Sequence, residues 1–382
     1  MDTLCIPVAD EYKLLRKKSI QMMRQIYRRG GAVLVFDSGM QQLPLASTNN
    51  DKAMAVYMSN WLHRLWTFQE GMLAKKLFFQ LKDGPLYGQD FVDESVKEQE
   101  IDQERGLYGS FQFTARSAAL GHFTILRDFV EMKLAGNGQL FPPLTHAIQQ
   151  RTTTRISDEG ICAATILDTN LKDIMAVETK DVPDEVVATK RMEIFLKQVG
   201  EFPPGIIFHY QKRLKTEGFR WAPRTIMGAR PADFARDLDG KLSSFKGKGL
   251  RVRYPGLILE SVPTGLGNEN IIMMKHDEHL YRLQLFPEEG DGPLSANAMY
   301  AVVMFRSISA RYTTGTDAIL GILKDAAEVH DEQAKRRKGS VLDMTINMRC
   351  ECRAWLEPLN IGLRGDVVTA ELFGEKQKWR VF

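Results

Sequence analysis

From its first residues the chain alternates short apolar runs with amphipathic stretches. Thr3, Leu4, Cys5 and Ile6 read as a short buried strand closed by Pro7. Over residues 11–28, Leu15, Ser19, Met22, Met23 and Ile26 fall near helical spacing with Arg and Lys on the other side. That pattern predicts an amphipathic helix, and Gly30 and Gly31 stop it. The run AVLVF at 32–36 is apolar throughout, as a strand covered on both faces requires. Strand, helix and strand with short connections form a βαβ unit and imply a parallel sheet. A loop with Pro44, Ser47, Asn49 and Asn50 leads to a second helix over 60–75 and a further strand at LFFQ, 77–80.

Residues 82–109 are strongly charged and read as an exposed insertion. From 111 to 192 the pattern is mostly helical. Ile161, Ala164, Thr165, Leu167 and Ile174 keep helical spacing over 157–175, with Asp158 and Glu159 at the positive end. Another helix over 184–199 ends before Pro203 and Pro204. After about Gly228 the period shortens. Strands are expected over 250–260, 271–275, 279–286, 299–305 and 341–355, with one helix over 317–335. In 279–286, Tyr281, Leu283 and Leu285 alternate with Arg282 and Gln284, giving one dry and one wet face. The expected organisation is an α/β region over 1–82, a helical region over 83–230 and a β-rich module over 231–382.

Composition narrows the function classes. A chain of 382 residues with 44% hydrophobic and 26% charged residues is an ordinary globular protein of more than one module. A net charge of +3 gives no reason to expect nucleic acid. Four scattered cysteines, Cys5, Cys162, Cys350 and Cys352, are not a disulfide framework. The early charges do not resemble a secretory signal, and no apolar run reaches spanning length. A reduced, cytoplasmic setting is the expectation.

The stretch WLHRLWTFQEGMLAKK, 61–76, is the most informative chemically. On one continuous helix Trp66, Glu70, Leu73 and Leu77 share a face. Glu70 then lies in an apolar stripe, where a lone carboxylate is costly. It is a structural partner of Arg64, a helix-edge Glu whose head reaches water, or a working carboxylate. His276 and His279 read as a solvated turn between strands rather than metal ligands, and no metal site is expected. Cys350 and Cys352 face one side of a strand and read as small core residues. Gly265 and Gly267 lack the third glycine of a dinucleotide loop. The run Lys335 to Lys338 is a solvated helix end.

Several segments together resemble the fungal heterokaryon-incompatibility (HET) domain. Its opening strand is matched by Asp2, Thr3, Leu4, Cys5 and Ile6. A helix ending in Met-x-x-Ile-Tyr is matched by Met23, Ile26 and Tyr27. The signature Arg-x-Trp-Thr-x-Gln-Glu is matched by Arg64, Trp66, Thr67, Gln69 and Glu70. Weaker similarity continues at Arg151, Thr152, Thr153 and Asp158, and at Gly218, Arg220, Trp221, Ala222 and Pro223. Met1 stands where the family has Ile, and the family's preceding Trp, strand and helix have no counterpart, which implies a domain lacking its beginning.

HET domains are in turn distantly similar to TIR domains, so the resemblance implies a truncated TIR-like, flavodoxin-like parallel sheet. It implies a role in non-self recognition and programmed cell death, triggered through a protein partner or self-association. NAD-cleaving TIR domains carry a catalytic Glu at the spacing from Trp that Glu70 keeps from Trp66. The alternatives the resemblance leaves open are a NAD glycohydrolase using Glu70, with NAD as substrate, and an inactive truncated remnant.

Overall fold

The computed structural model describes residues 9–106, 137–228, 241–259, 270–277, 279–295, 297–307, 314–335, 344–359, 367–373 and 377–382. The expected strand at Thr3 to Ile6, and with it Asp2, Leu4, Cys5 and Ile6, lies outside the described residues. So do Gly265, Gly267 and the basic run after Lys335, Arg336 to Lys338. The chain divides into two compact units, one of 1–199 with 225–231 and one of 200–224 with 232–382.

In the first unit, helix α1 (Lys13–Arg29) precedes strand β1 (Val33–Val35). β1 pairs in parallel with β2 (Leu77–Gln80), which pairs antiparallel with β3 (Pro85–Tyr87). The parallel β1–β2 pair and its intervening helices match the expected mixed α/β class. The sheet has three strands and its third is antiparallel, so the expected truncated TIR-like, flavodoxin-like parallel sheet is not seen among the described residues.

Four helical expectations need correction. The supposed loop at Asn49 and Asn50 opens helix α2 (Asn49–Tyr57). Thr48 caps it, its hydroxyl oxygen accepting from the Asp51 N–H at 3.1 Å. The helix expected over 60–75 is two, α3 (Asn60–His63) and α4 (Thr67–Leu73). Arg64 between them is extended, with ψ of 134°. A bridge to a distant segment causes the break: Thr152 N–H donates to His63 O at 2.6 Å and Leu65 N–H to Thr152 O at 2.9 Å. Leu77 therefore sits on a strand and not on the face of Glu70. The supposed exposed insertion contains β3 and helix α5 (Gly88–Glu104), whose Phe91, Val92 and Ser95 are buried. On α1 the inward side holds Met23 and Arg24, while Leu15, Met22 and Ile26 are exposed.

After α6 (Asn137–Ile148), helix α7 (Asp158–Leu167) occupies the centre of the first unit. Every residue from Glu159 to Leu167 is buried, as expected of a helix with neighbours all round. The single helix expected over 157–175 is interrupted where Asp168 adopts φ of 60°, and α8 (Leu171–Met175) follows. α7 touches α4, α6, α8 and α9 (Asp184–Val199). Gly160 admits α9: a Cβ there would meet the Arg191 side chain and backbone at 3.2–3.4 Å.

The second unit is β-rich, as expected. Its strands are β4 (Glu201–Phe202), β5 (Ser243–Ser244), β6 (Leu250–Arg253), β7 (Gly256–Leu259), β8 (Ile271–His276), β9 (His279–Phe286), β10 (Tyr300–Met304), β11 (Thr316–Leu323), β12 (Thr345–Leu359), β13 (Val367–Phe373) and β14 (Lys378–Val381). The order β11-β10-β7-β13-β8-β9-β12 closes because β12 also pairs with β11, giving a seven-stranded barrel. β14 and β6 continue the sheet from β12. Two expectations change here. The strand over 250–260 is two, β6 and β7. The front of the helix expected over 317–335 is strand β11, and only α10 (Ala326–Lys335) is helical.

Alternate residues from all seven strands meet in the barrel's interior: Leu257, Met274, Leu283, Val302, Leu320, Leu356 and Val368 among them. Tyr281, Leu283 and Leu285 form the dry face as expected, and Cys350 and Cys352 are buried on one side of β12. A barrel of this size is filled by side chains. A second cluster in this unit joins Trp221 to Phe202 and Phe245, with ring centroids 5.0 and 5.2 Å apart.

Candidate functional site

α1, the α3–α4 break and the start of α7 bring the described motif residues of the first unit together. Tyr27, on the last turn of α1, donates its hydroxyl to Glu70 Oε1 at 3.3 Å. The indole N–H of Trp61 on α3 donates to Glu70 Oε2 at 3.2 Å. Both oxygens of this part-buried carboxylate are thus oriented by aromatic donors. One turn earlier on α1, Met23 receives the Gln69 amide at its sulfur, 3.9 Å away. Gln69 is 0% exposed, and its Oε1 is a buried acceptor with no hydrogen-bond partner.

The break between α3 and α4 is held by Arg151. This buried guanidinium donates to Arg64 O at 2.9 Å, Thr67 Oγ1 at 3.2 Å and Ala147 O at 3.2 Å. It lies 4.9 Å from the Phe68 ring centroid. Burial pulls its pKa down to about 10, opposed by the nearby Cys162 and Glu70. It stays protonated at neutral pH, a fixed positive charge that Glu70 feels electrostatically. Thr67 in turn donates to Trp61 O and to Arg64 O. Trp66 donates its indole N–H to Asp158 Oδ2 at 2.9 Å. Burial raises the pKa of Asp158, against the Trp66 hydrogen bond and the charges of Arg191 and Arg155.

Two further buried charges frame α7. At its C-terminal end Arg24 donates to the carbonyls of Thr165 and Ile166 and pairs with Asp168 at 2.9 Å, where a cation is favoured by the helix dipole. At its N-terminal end Glu159 accepts from Thr225 Oγ1 at 2.7 Å, Ile226 N at 2.6 Å and Met227 N at 3.1 Å. Burial outweighs these donors and raises the Glu159 pKa to about 7.

The residues singled out in the sequence separate clearly. Met23, Tyr27, Trp66, Thr67, Gln69 and Glu70 converge, and Arg64 contributes its carbonyl. Ile26 does not: it is 58% exposed. The hydrogen bonds seen at Glu70 come from Tyr27 and Trp61, neither of which its helical spacing had suggested as a partner. Arg151 was legible only as faint similarity, Asp158 as faint similarity and a helix-end acid, and Glu159 only as a helix-end acid. His276 and His279 face each other across the turn between β8 and β9, and no group of three or more metal-ligand side chains occurs among the described residues. Nor is any helix among them long and apolar enough to cross a membrane.

Arg220 and Trp221, the other faint similarity, serve the second unit. Arg220 donates to Cys350 O at 2.7 Å, and Trp221 donates to Gly218 O at 2.9 Å.

No family model, curated protein or solved structure matches the chain.

Proposed function

We propose that this chain is a heterokaryon-incompatibility-type protein of fungal non-self recognition, signalling programmed cell death through a protein partner or self-association. The carrying observation is the convergence of separated motif residues. Met23 and Tyr27 meet Gln69 and Glu70, while Arg151 and Asp158 hold Arg64, Thr67 and Trp66. Segments that resemble one family in order along the chain form one connected cluster, which supports reading them as parts of one domain. A cytoplasmic setting accords with Cys162, Cys350 and Cys352 being free and buried. Expression in a fungal host tests the reading: growth arrest is expected, and it is expected to disappear in Arg151→Ala. Growth unaffected by the folded wild-type protein rejects it.

A second reading, a NAD glycohydrolase, is favoured by the orientation of Glu70. A carboxylate held at both oxygens can bind ribose hydroxyls and face the positive charge of an oxocarbenium-like transition state. Nicotinamide release from NAD by the purified protein is expected on this reading, with loss in Glu70→Gln. Turnover that is absent, or unchanged in Glu70→Gln, rejects catalysis. Growth arrest that persists in Glu70→Gln assigns the signal to assembly. A folded protein with neither property is the inactive remnant.

A further inference from the structure

The outward face of β6 and β14 carries a tile of four cations. The two strands are antiparallel neighbours in which Lys378 lies opposite Arg253 and Arg380 opposite Arg251. Alternation sends Val252, Trp379 and Val381 inward and these four side chains outward. Like charges directly opposite each other oppose strand pairing, so the Arg251–Arg380 pair costs stability unless an anion relieves it. On the other side of β14 it is Asn347 of β12, a neutral amide, that stands beside Arg380. Arg251, Arg253 and Arg380 have no side-chain hydrogen bond or ion pair among the described residues.

A concavity of about 510 Å³ continues this face, lined by Arg380, Lys248, Lys324, Asn347, Asp325 and Glu217. It also holds two acids, of which only Glu217 is paired with a cation among the described residues. Glu217 pairs with Lys324 at 2.8 Å, and Asp325 accepts from the Asn347 amide. Lys324 also lies 4.0 Å from the Phe382 ring centroid. Gly218 and Gly247, at φ of 85° and 78°, form part of the wall. A Cβ on Gly218 would come within 3.2 Å of Gly247 O, so the two backbones approach closely there. Arg380 belongs to both the tile and the pocket.

We propose that this face binds a compact, multiply phosphorylated small molecule, with one end in the pocket against Lys248 and Lys324 and the rest across Arg251, Arg253 and Arg380. Guanidinium groups suit phosphate oxygens because each presents parallel N–H donors. Cations from neighbouring strands about 5 Å apart, repeated about 7 Å along each strand, fit several phosphates on one small scaffold. A pocket of this volume favours a small polyanion over an extended chain.

Calorimetric titration of the full chain with inorganic tripolyphosphate tests this. Saturable one-to-one binding is expected, weakened at least about tenfold in Arg251→Ala/Arg380→Ala and unchanged in Lys75→Ala/Lys76→Ala. Arg251→Thr/Arg253→Thr is expected to melt at a higher temperature than the wild type without ligand, and to lose the rise in Tm that tripolyphosphate gives. No saturable binding, or equal weakening in both double alanine variants, overturns the proposal. So does an oligouridine RNA that binds at least tenfold more tightly than tripolyphosphate, which would assign the face to nucleic acid.

Discussion

The first unit and the barrel of the second solve the problem of the interior in opposite ways, although outside the barrel the second unit too buries a guanidinium, Arg213, against the carbonyl of Ile207 at 2.9 Å. In the first, charged and polar side chains are buried at the junctions: Arg24, Gln69, Arg151, Glu159 and Arg191 are each less than a tenth exposed. Most reach backbone atoms far away in sequence. The barrel of the second unit is dry, built from alternate apolar residues of seven strands. The contrast teaches where specificity resides. An apolar interior tolerates exchange of similar volumes. A buried guanidinium bound to named carbonyls demands one geometry, because unmet donors and acceptors are costly there.

The largest expected effect breaks the polar side. Arg151→Ala removes a cation that joins Ala147, Arg64 and Thr67, and a loss of about 3–5 kcal/mol is expected. Calorimetry should show the transition of the first unit lowered and that of the second preserved. A single transition lowered as a whole would show that the contrast does not divide the molecule energetically. On the dry side, Leu283→Ala should cost about 2–5 kcal/mol by opening a cavity in the barrel. Leu283→Met should cost under about 1.5 kcal/mol. If the Met variant were as damaging as the Ala variant, the barrel interior would be as exacting as the polar junctions.

Glu159 sharpens the comparison through pH. Its folded pKa of about 7 lies above the ordinary carboxylate value, so the native state binds the proton more tightly than the unfolded chain does. Its contribution to stability is complete below the unfolded pKa and is lost as pH rises through about 7. The swing reaches about 3 kcal/mol. Denaturant unfolding of the first unit should therefore show stability falling between about pH 5 and pH 8. Glu159→Gln, which mimics the protonated acid, should flatten this profile; a profile unchanged in that variant would remove Glu159 as its source. The smallest effect is expected for Trp66→Phe, which keeps the ring but leaves Asp158 short of one donor, at about 1 kcal/mol by the same measurement.

Much of the second unit was legible beforehand. Tyr281, Leu283 and Leu285 announce a half-dry strand, and the barrel places them in its core. Its errors came from apolar segments without a clear period. Residues 316–323 satisfy helix and strand equally well by composition, and only pairing with β10 and β12 makes them a strand. In the first unit, 60–75 reads as one helix because each half is helical. The chain opens at Arg64 because Thr152, remote in sequence, takes the backbone hydrogen bonds there.

By itself the sequence determined the helix and strand over 11–36, the half-dry strand over 279–286, the β-rich second half and the resemblance that singled out Glu70. Those properties depend on residues close in the chain, whose side-chain volume and polarity set local preference. Tertiary structure alone decided that α1 turns Met23 and Arg24 inward while Ile26 stays exposed. It likewise decided that Glu70 meets Tyr27 and Trp61, and that Arg251 and Arg380 stand side by side. Each of these is a contact between residues distant in sequence, set by the packing of elements that no local pattern encodes.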